Sequence, residues 1–323
     1  MPARRALFLL MPMDFSIIIV NYNMKQLVCE CLDSLALLDE GCSFETILVD
    51  NDSADGSPAH IQDNYPWVRL VANDWNAGFA KACNQGWEIS SGDIVLFLNP
   101  DTEMSAGTLP AVNDFFKSTP HAGIAGCRTV NSDGSLEPSV YREPTLWRTF
   151  VDSFYLGKWF GGYEVPPESM TGDAEVEAVC GACFFATRAL LQEVGAFDEE
   201  FWMYGEDIEL CLRARRAGYG VHYLNGVSVI HKRGQRHLSE DAYHDMARIS
   251  YNHYKWIFYF FRKHYPAWWN DALRRIMAVQ VGRKLVSRKK KLDAGDDSRD
   301  NRLRIKGLER VMNEFIRHDG SFE

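Results

Sequence analysis

Three groups of polar side chains in this chain of 323 residues each come directly after a short apolar run. They are Asn21-Tyr22-Asn23, the segment from Asp50 to Ser57, and Asn99-Pro100-Asp101. Asn, Asp and Ser in loops commonly cap helices or close tight turns, which is the simplest role for each group alone. Their amide and carboxylate oxygens are also good ligands for divalent cations. Three such groups together favour a polar ligand, and the repeated carboxylates favour a cation beside it.

The apolar runs before these groups predict the strands of a mostly parallel sheet. The run from Phe15 to Val20 is nearly continuous in β-branched residues, as expected for a strand that is covered on both faces. Apolar residues from Met24 to Leu38 recur at helical spacing, and a second helical stretch covers Gly78 to Ser90. The remaining predicted strands are Thr46 to Val49, Val68 to Val71 and Ile94 to Leu98. Alternating strands and helices indicate βαβ units, whose strand ends meet at one ligand-binding edge.

The second half of the chain has a less regular pattern. The stretch from Arg142 to Asp173 is rich in Gly, Pro and aromatic residues, which predicts a long ordered loop. Val176 to Thr187 and Tyr219 to Leu224 are predicted as strands, and Glu206 to Ala217 as a helix. We therefore expect the sheet to continue beyond the loop.

Composition excludes several classes of protein. Apolar residues make up 46% of the chain and the formal net charge is −9, so a globular core is expected and a general nucleic-acid binder is not. No apolar run reaches the length that spans a bilayer. Eight cysteines show no repeated spacing, and the lone C-x-x-C of Cys180 and Cys183 favours buried thiols over a zinc site.

The phosphate-binding motifs of two large enzyme classes are missing from the sequence. The first predicted strand is not followed by G-x-G-x-x-G, and no G-x-x-x-x-G-K-[ST] occurs, which disfavours hydride transfer and ATP chemistry. A carboxylate-rich edge remains, which could hold a metal that neutralises the diphosphate of a nucleotide-activated compound.

Six segments of the chain resemble the family 2 inverting glycosyltransferases, and most of all their rhamnosyltransferase-like branch. The segments are FSIIIVNYN (Phe15 to Asn23), LVDNDSADGS (Leu48 to Ser57), NAGFAKACNQG (Asn76 to Gly86), IVLFLNPD (Ile94 to Asp101), GACFFATRALLQEVGAFDEEFWMYGEDIEL (Gly181 to Leu210) and VIHKRG (Val229 to Gly234). The resemblance keeps their order and spacing over about two thirds of the chain. It implies an α/β GT-A fold, a Rossmann-like, mostly parallel central sheet with flanking helices, and a nucleoside-diphosphate sugar donor.

The resemblance also assigns nucleotide-binding residues. Asn21 and Tyr22 would line the nucleoside pocket, Asp50 would accept a hydrogen bond from the pyrimidine ring, and Asp52 would lie beside them.

A second family segment would close over the nucleotide. In this chain it contains Asn76, Gly78, Lys81 and Asn84. Gly78 would allow a close backbone approach, and Lys81 would pair with a phosphate.

The resemblance gives four further positions for the metal and the chemistry. Asp101 matches the last acid of the family's metal-binding D-x-D, whereas Asn99 replaces the first acid and belongs with the donor-binding residues. His231 matches a metal-ligating histidine, and Asp207 matches the general base. The implied cofactor is Mg²⁺ or Mn²⁺.

The implied reaction is the inverting, metal-dependent transfer of a sugar to a hydroxyl of a glycan or of a lipid-linked saccharide. The branch favours dTDP-rhamnose as donor, with a UDP-sugar as the alternative. Two other functions stay open: a sugar nucleotidyltransferase, and an inactive sugar-nucleotide-binding scaffold at a membrane. The expected location is the cytoplasm, with peripheral attachment to the inner face of the cytoplasmic membrane as an extension.

We predict a flexible start (residues 1–13), a GT-A domain (residues 14–240) and a helical, aromatic and basic extension (residues 241–323). In the extension an apolar stripe predicts a helix that ends before Pro266. The stripe contains Tyr243, Met246, Ala247, Tyr254, Ile257, Phe258, Phe261 and Tyr265. Aromatic residues also occupy the opposite face, and six cations follow between Arg283 and Lys291. The pattern fits either a homodimer contact or attachment to a membrane surface.

Overall fold

The computed structural model describes residues 13–38, 41–232 and 240–317, with the backbone alone for residue 158 and residues 240–250. Residues 1–12, most of the predicted flexible start, and Arg233 and Gly234 lie outside the described residues. The strands are β1 (Phe15–Asn21), β2 (Phe44–Asn51), β3 (Val68–Asn73), β4 (Ile94–Leu98), β5 (Thr102–Met104), β6 (Ala122–Val130), β7 (Val140–Tyr141), β8 (Ala174–Glu175), β9 (Ala178–Val179), β10 (Cys183–Thr187) and β11 (Gly220–His231).

Helices alternate with the strands in the first part of the chain and follow one another at its end. They are α1 (Lys25–Ala36), α2 (Ser57–Asn64), α3 (Phe79–Glu88), α4 (Thr108–Ser118), α5 (Leu146–Ser153), α6 (Gly157–Phe160), α7 (Arg188–Val194), α8 (Glu206–Arg216), α9 (Glu240–His264), α10 (Ala267–Asp293) and α11 (Arg299–Val311). A 3₁₀ turn (Pro167–Ser169) and a π-helical turn (Met312–Arg317) complete the described elements.

The predicted mostly parallel sheet is confirmed. Its strand order is β3-β2-β1-β4-β10-β6-β11-β5, with β8 added beside β11. The pairs β3-β2, β2-β1, β1-β4 and β6-β11 are parallel, whereas β10, β5 and β8 pair antiparallel with their neighbours. Every residue of β1 is buried, which explains why this strand has no alternating polar face. The register pairs Asn21 with Asp50 at the ends of β1 and β2.

Two predictions for the second half of the chain are wrong. The segment from Arg142 to Asp173 is not one long loop, because it contains α5, α6 and the 3₁₀ turn. Helix α5 begins where the Thr145 side chain accepts a hydrogen bond from the Arg148 amide, an N-cap inside an aromatic-rich sequence. The strand predicted over Val176 to Thr187 is interrupted between β9 and β10. The interruption contains Gly181, whose amide binds a side chain instead of a neighbouring strand.

The described chain divides into two units. Among the described residues, the sheet unit consists of residues 13–38, 41–141, 165–199 and 207–232, and the helical unit of residues 142–164, 200–206 and 240–317. The helical unit therefore includes α5, α6 and the segment before Asp207, in addition to the C-terminal helices. Among the described residues, no helix is long and apolar enough to cross a membrane.

Helix α9 ends at His264, as predicted from Pro266. Tyr254, Ile257, Phe258 and Phe261 of its predicted stripe are buried, and so is Phe260 on the other face. The side chains of Tyr243, Met246 and Ala247 lie outside the described residues.

Both faces of α9 have partners within the helical unit. Phe258 stacks on Phe315 with ring centres 5.0 Å apart, and Tyr259 contacts Phe201 of the 200–206 segment at 6.5 Å. The described aromatic residues of α9 thus contribute to the interior of the helical unit rather than to an open surface.

Candidate active site

The ends of β1 and β2 are joined by a buried network of polar side chains. The Asn21 amide nitrogen donates to Asp50 Oδ2 at 2.7 Å and to Ser57 Oγ at 2.8 Å, and the Ser53 backbone amide donates to Asp50 Oδ1 at 2.8 Å. Asn21 and Asp50 are at most 1% exposed. Because both oxygens of Asp50 accept hydrogen bonds from the protein, this carboxylate fixes the loop that follows β2. Asn21 Oδ1 is buried without a hydrogen-bond partner in the described part of the chain.

Two residues beside this network have left-handed backbone conformations. Asn23 has φ 52° and Asp52 has φ 67°, values that cost free energy for residues other than glycine. Asn23 Oδ1 accepts a hydrogen bond from the Ala54 amide at 2.8 Å, which holds the two loops together. Asp52 is exposed and Tyr22 is half-buried. Asp52 is therefore an accessible carboxylate at this edge, in contrast to the buried Asp50.

The loop before α3 is fixed by a residue to which the sequence analysis gave no role. Asn51 is 2% exposed, and its side chain donates to the Gly78 carbonyl at 3.0 Å and accepts from Asn73 at 2.9 Å. Gly78 has φ 90°, which a side chain would strain, and its amide donates to Asn76 Oδ1 at 3.0 Å. The signal for Asn51 was its position at the end of a buried strand, between two acids.

Lys81 and Asn84, both on α3, differ in what they contact. Lys81 is 42% exposed, 3.8 Å from a Glu199 carboxylate oxygen and 5.4 Å from the ring centre of Trp75. Asn84 exchanges two hydrogen bonds with the backbone of Phe197, at 2.8 and 3.0 Å. Lys81 is accessible to an anionic ligand, whereas Asn84 holds two segments of the sheet unit together.

Asp101, His231 and Glu137 form one cluster. His231 Nε2 lies 3.3 Å from Asp101 Oδ1, and His231 Nδ1 lies 2.8 Å from Glu137 Oε2. His231 and Glu137 are 8% and 7% exposed. Burial opposes a charge on His231, but the hydrogen bonds and charges of Asp101 and Glu137 outweigh it and raise the pKa of the imidazole. The sequence analysis predicted the first two residues of the cluster and missed Glu137.

The pairing of β5 with β11 brings Asp101 and His231 together. His231 is opposite Thr102, and the Lys232 amide donates to the Asp101 carbonyl at 2.8 Å. Glu137 reaches the cluster because the chain reverses after β6 in a turn through Gly134, whose φ is +82°. The Glu137 backbone amide then donates a hydrogen bond to the Thr129 carbonyl of β6 at 3.0 Å. No signal in the sequence connects an acid at 137 with a histidine at 231.

Asp207 lies in the first turn of α8 and is held by two backbone amides. Its Oδ2 accepts from the Gly181 amide and its Oδ1 from the Ile208 amide, both at 2.8 Å. A Cβ atom on Gly181 would lie 3.1 Å from Asp207 Oδ2, so glycine permits this close approach. Burial raises the pKa of Asp207 to about 6, although the two amides lower it. The carboxyl is therefore suited to exchange a proton near neutral pH.

The backbone of residues 181 and 182 connects the Asp207 region with the Asp101 region. The carbonyl of Ala182, the residue after Gly181, accepts a hydrogen bond from the Asn99 amide at 3.0 Å. The Asn99 carbonyl in turn accepts from the Thr102 hydroxyl at 2.7 Å. An acid with a raised pKa and an Asp-His pair are thus fixed to the same short segment of the sheet unit.

A family model described as glycosyl transferase family 2 matches residues 16–194, more than half of the chain. The chain belongs to this family. It is a glycosyltransferase. Of the functions that the sequence left open, this finding favours sugar transfer over the sugar nucleotidyltransferase.

Curated relatives of this family 2 enzyme include rhamnosyltransferases. It is 28% identical over 274 residues to the N-acetylglucosaminyl-diphospho-decaprenol L-rhamnosyltransferase of Mycobacterium tuberculosis, covering 80% of this chain and 87% of the relative. It is 32% identical to the rhamnosyltransferase WbbL of Escherichia coli, over 43% of this chain and 52% of that protein. The enzyme is thus rhamnosyltransferase-like, with relatives in cell-surface glycan synthesis.

Solved structures share the fold of this family 2 enzyme. A mannosyltransferase of Pyrobaculum calidifontis in complex with GDP-Man and Mn²⁺ has a TM-score of 0.55 and 18% identity, covering 98% of this chain and 88% of its own. Residues 1–349 of S. aureus TarS in complex with UDP-GlcNAc give a TM-score of 0.50 and 18% identity, covering 93% and 91%. These similarities support the GT-A fold.

Proposed function

We propose that this enzyme transfers a sugar, with inversion and with a divalent cation, from a nucleoside-diphosphate donor to a hydroxyl of a glycan or lipid-linked saccharide. The observation that carries the proposal is Asp207, a carboxylate with a raised pKa, connected through Gly181 and Ala182 to the Asp101 region. An inverting transfer needs one base for the acceptor and a counter-charge for the departing diphosphate, and the sheet unit offers both kinds of group.

In the proposed reaction Asp207 removes the proton from the acceptor hydroxyl. The acceptor oxygen then forms a bond to the anomeric carbon as the bond from that carbon to the diphosphate oxygen breaks, and the diphosphate leaves with the electron pair. A single displacement of this kind inverts the anomeric centre. A well-placed general base contributes about 10²- to 10⁴-fold to such a step.

The Asp-His pair fits a divalent cation in geometry and charge. Two ligands at right angles on Mg²⁺ lie roughly 3 Å apart for bonds of roughly 2.1 Å, close to the 3.3 Å between Asp101 Oδ1 and His231 Nε2. With a neutral imidazole, the cluster of Asp101, His231 and Glu137 carries two negative charges. In the described part of the chain no three His, Cys, Asp or Glu residues form a complete metal cage. A diphosphate would therefore have to supply the remaining ligands.

Mg²⁺ or Mn²⁺ bound there would neutralise charge on the leaving diphosphate. Glu137 would orient His231 by accepting the Nδ1 hydrogen, which keeps Nε2 directed at the cation. Lys81, exposed on α3, would add positive charge toward the phosphates. Asn99, two residues before the metal-binding Asp101, would contribute to binding the donor.

The nucleoside would bind at the ends of β1 and β2. We assign Asn21 and Asp50 to holding this edge in shape, since their hydrogen bonds are made within the protein. Tyr22 and the exposed Asp52 would contact the nucleoside. Asn76 and Gly78 would close over it.

The relatives guide the choice of donor and acceptor. Two rhamnosyltransferases among them support dTDP-rhamnose as donor ahead of a UDP-sugar. The decaprenol in the name of the Mycobacterium tuberculosis protein supports a lipid-linked saccharide as acceptor. We accordingly propose action in cell-surface polysaccharide synthesis at the inner face of the cytoplasmic membrane.

A panel of donors tests the proposal. The purified chain is incubated with dTDP-rhamnose, UDP-hexoses or GDP-mannose, with divalent metal or excess chelator, and with short diphospho-lipid saccharides. Product mass spectrometry should show addition of one deoxyhexose from dTDP-rhamnose, and NMR should show inverted anomeric configuration. Transfer with retained configuration would contradict the single displacement, and transfer in chelator would contradict the role of metal. Asp207→Asn in the same assay reports background donor hydrolysis.

A further inference from the structure

An exposed aromatic patch lies on α5 and α6 of the helical unit. Its members have 54 to 72% of their surface exposed, and they are Trp147, Tyr155, Trp159 and Phe160. Within the patch the Trp147 ring lies 5.9 Å from the ring of Phe160 and stacks on Phe150 at the same distance. Tyr155 follows α5 with φ 59°, a conformation that ends the helix. Large exposed aromatic groups in contact with one another mark binding surfaces more often than scattered ones do.

An exposed stripe on α10 mixes apolar side chains with cations. Its residues recur at spacings that share one face of a helix. They are Trp268, Arg275, Val279, Arg283, Val286 and Lys290. The opposite face carries Leu273, Met277 and Val281, which are at most 3% exposed and form the interior of the unit. The packing of the helix is thus satisfied on one side. The other side keeps an apolar and mainly cationic surface, whose acids are Asp271, 3.4 Å from an Arg274 guanidinium nitrogen, and Asp293 at the end of the helix.

The aromatic patch and the α10 stripe adjoin. The Arg283 guanidinium carbon lies 6.0 Å from the ring centre of Phe154, and this ring contacts Phe150 at 4.6 Å. Lys284, next to Arg283, instead donates to the buried Tyr254 hydroxyl at 2.6 Å, so it belongs to the interior. We call the patch and the stripe together the docking face.

We infer that the docking face binds the surface of an anionic lipid bilayer. Trp and Tyr rings are stable at the depth of lipid headgroups, and cations at the same level gain free energy from anionic lipid. Peripheral attachment needs these two signals together, and the face has both on a chain whose net charge is −9. The inference deepens the proposed function, since a lipid-linked acceptor is presented at such a surface.

A second copy of the chain is a poorer occupant of the same face. A symmetric dimer places one surface against itself, so Arg275, Arg283 and Lys290, which outnumber the two acids of this face, would face the cations of the other copy. Like charges brought together in an interface cost free energy, whereas anionic lipid headgroups neutralise them. Five aromatic residues of α9, a helix that the sequence offered for either role, are buried inside the unit: Tyr251, Tyr254, Phe258, Phe260 and Phe261.

Vesicle binding by the full chain tests the inference. The vesicles are phosphatidylcholine alone or with 30 mol% phosphatidylglycerol, a proportion chosen as roughly that of an anionic membrane surface. Wild type should bind the anionic vesicles and lose most of this binding at roughly 0.5 M salt. Trp159→Ser/Phe160→Ser should lower the partition coefficient roughly tenfold or more, since two large rings leave the interface. Arg275→Gln/Arg283→Gln should lower it roughly tenfold at low salt and little at high salt.

The matched control is Leu37→Ser/Trp67→Ser, which removes two exposed apolar side chains, 83% and 41% exposed, from the sheet unit. Vesicle binding equal to wild type is expected of it. The inference is overturned if wild type does not prefer anionic vesicles or if Trp159→Ser/Phe160→Ser binds like the control. It is also overturned if that variant turns a dimer into a monomer in light scattering and keeps its vesicle affinity.

Turnover with a water-soluble acceptor is measured on the same samples. Normal turnover without vesicle binding would overturn the docking face alone. Vesicle binding without turnover on any donor would count against the proposed function alone.

Discussion

The sheet unit and the helical unit use their polar and aromatic side chains in opposite ways. In the sheet unit, Asn21, Asp50, Asn51 and His231 are all less than a tenth exposed, and each is held by side-chain hydrogen bonds. In the helical unit, Trp159 and other large rings are exposed while cations lie beside them. Buried polar groups cost free energy unless they are paired, so their networks fix a site in advance. Exposed rings instead gain their free energy only when a partner covers them.

Replacing the base should have the largest effect on the sheet unit. Asp207→Asn keeps the shape of the side chain but cannot take a proton, so transfer should fall by about 10²- to 10⁴-fold. Donor affinity, measured by calorimetry, should stay within about twofold because the base does not hold the donor. A variant that retains more than about a tenth of the wild-type rate would assign the base to another residue.

Substitutions in the interior of the helical unit should lower the stability of the protein rather than its catalytic activity. Phe315 is 2% exposed and stacks on Phe258. The substitution Phe315→Ala should therefore lower the free energy of unfolding by about 3–5 kcal/mol. Denaturant unfolding measures this change, and Phe160→Ala, from the exposed patch, should change stability by less than about 0.5 kcal/mol. Equal losses from both variants would show that the exposed patch is packed in solution.

Removing either proposed metal ligand should weaken nucleotide binding through the cation. Asp101→Ala and His231→Ala should each lower kcat/KM by roughly 100-fold, since the diphosphate loses counter-charge worth several kcal/mol. Excess chelator should reduce wild type to the same level. Full activity in excess chelator would show that a cationic side chain such as Lys81, rather than a metal ion, neutralises the diphosphate.

Glu137 tests whether the polar network orients its ligand. Glu137→Ala should weaken Mn²⁺ binding, measured by electron paramagnetic resonance with nucleoside diphosphate present, by about 10- to 100-fold. Glu137→Gln keeps an acceptor for His231 Nδ1 and should recover much of the affinity. Glu168→Gln, an exposed acid in the same unit, is the control. Equal affinity for Glu137→Ala and wild type would reduce Glu137 to a packing role.

The pH dependence of turnover gives the smallest expected effect. Burial raises the pKa of Asp207 to about 6, and only the ionised form accepts a proton. The rate should therefore be constant above this pKa and fall as pH drops through it, to about a tenth of the plateau at about pH 5. A kcat profile from pH 4.5 to 8 with a pH-stable acceptor measures it. A limb near pH 4, the ordinary value for an exposed carboxyl, would mean that Asp207 is not buried when it reacts.

Much of the sheet was predictable because its strands have recognisable apolar sequences. The run from Phe15 to Val20 is apolar on both faces, and the polar residues after it mark the point where the strand leaves the core. The same logic found Asn21 and Asp50, although their mutual hydrogen bond appears only in the structure. The interruption of the strand predicted over Val176 to Thr187 was not predictable. It occurs where the Gly181 backbone amide donates a hydrogen bond to the Asp207 carboxylate, which is distant in the sequence.

The aromatic helix α9 shows the limit of sequence patterns. Rings on both of its faces indicated more apolar surface than one contact can bury, which is true. The sequence did not show that Phe315 and Phe201, far away along the chain, cover the two faces. A group of exposed rings lies instead in and between α5 and α6, inside a segment predicted to be a loop.

The sequence by itself determined the fold class, the family resemblance, the edge of the sheet that carries the polar residues and the end of α9 before Pro266. These properties depend on local periodicity and on residue types next to strand ends, which are encoded within a few residues of one another. The tertiary structure alone decided the pairing of Glu137 with His231, the raised pKa of Asp207 and the exposure of the docking face. Each of these depends on which distant segments displace water from a side chain, and burial by distant segments leaves no local pattern in the sequence.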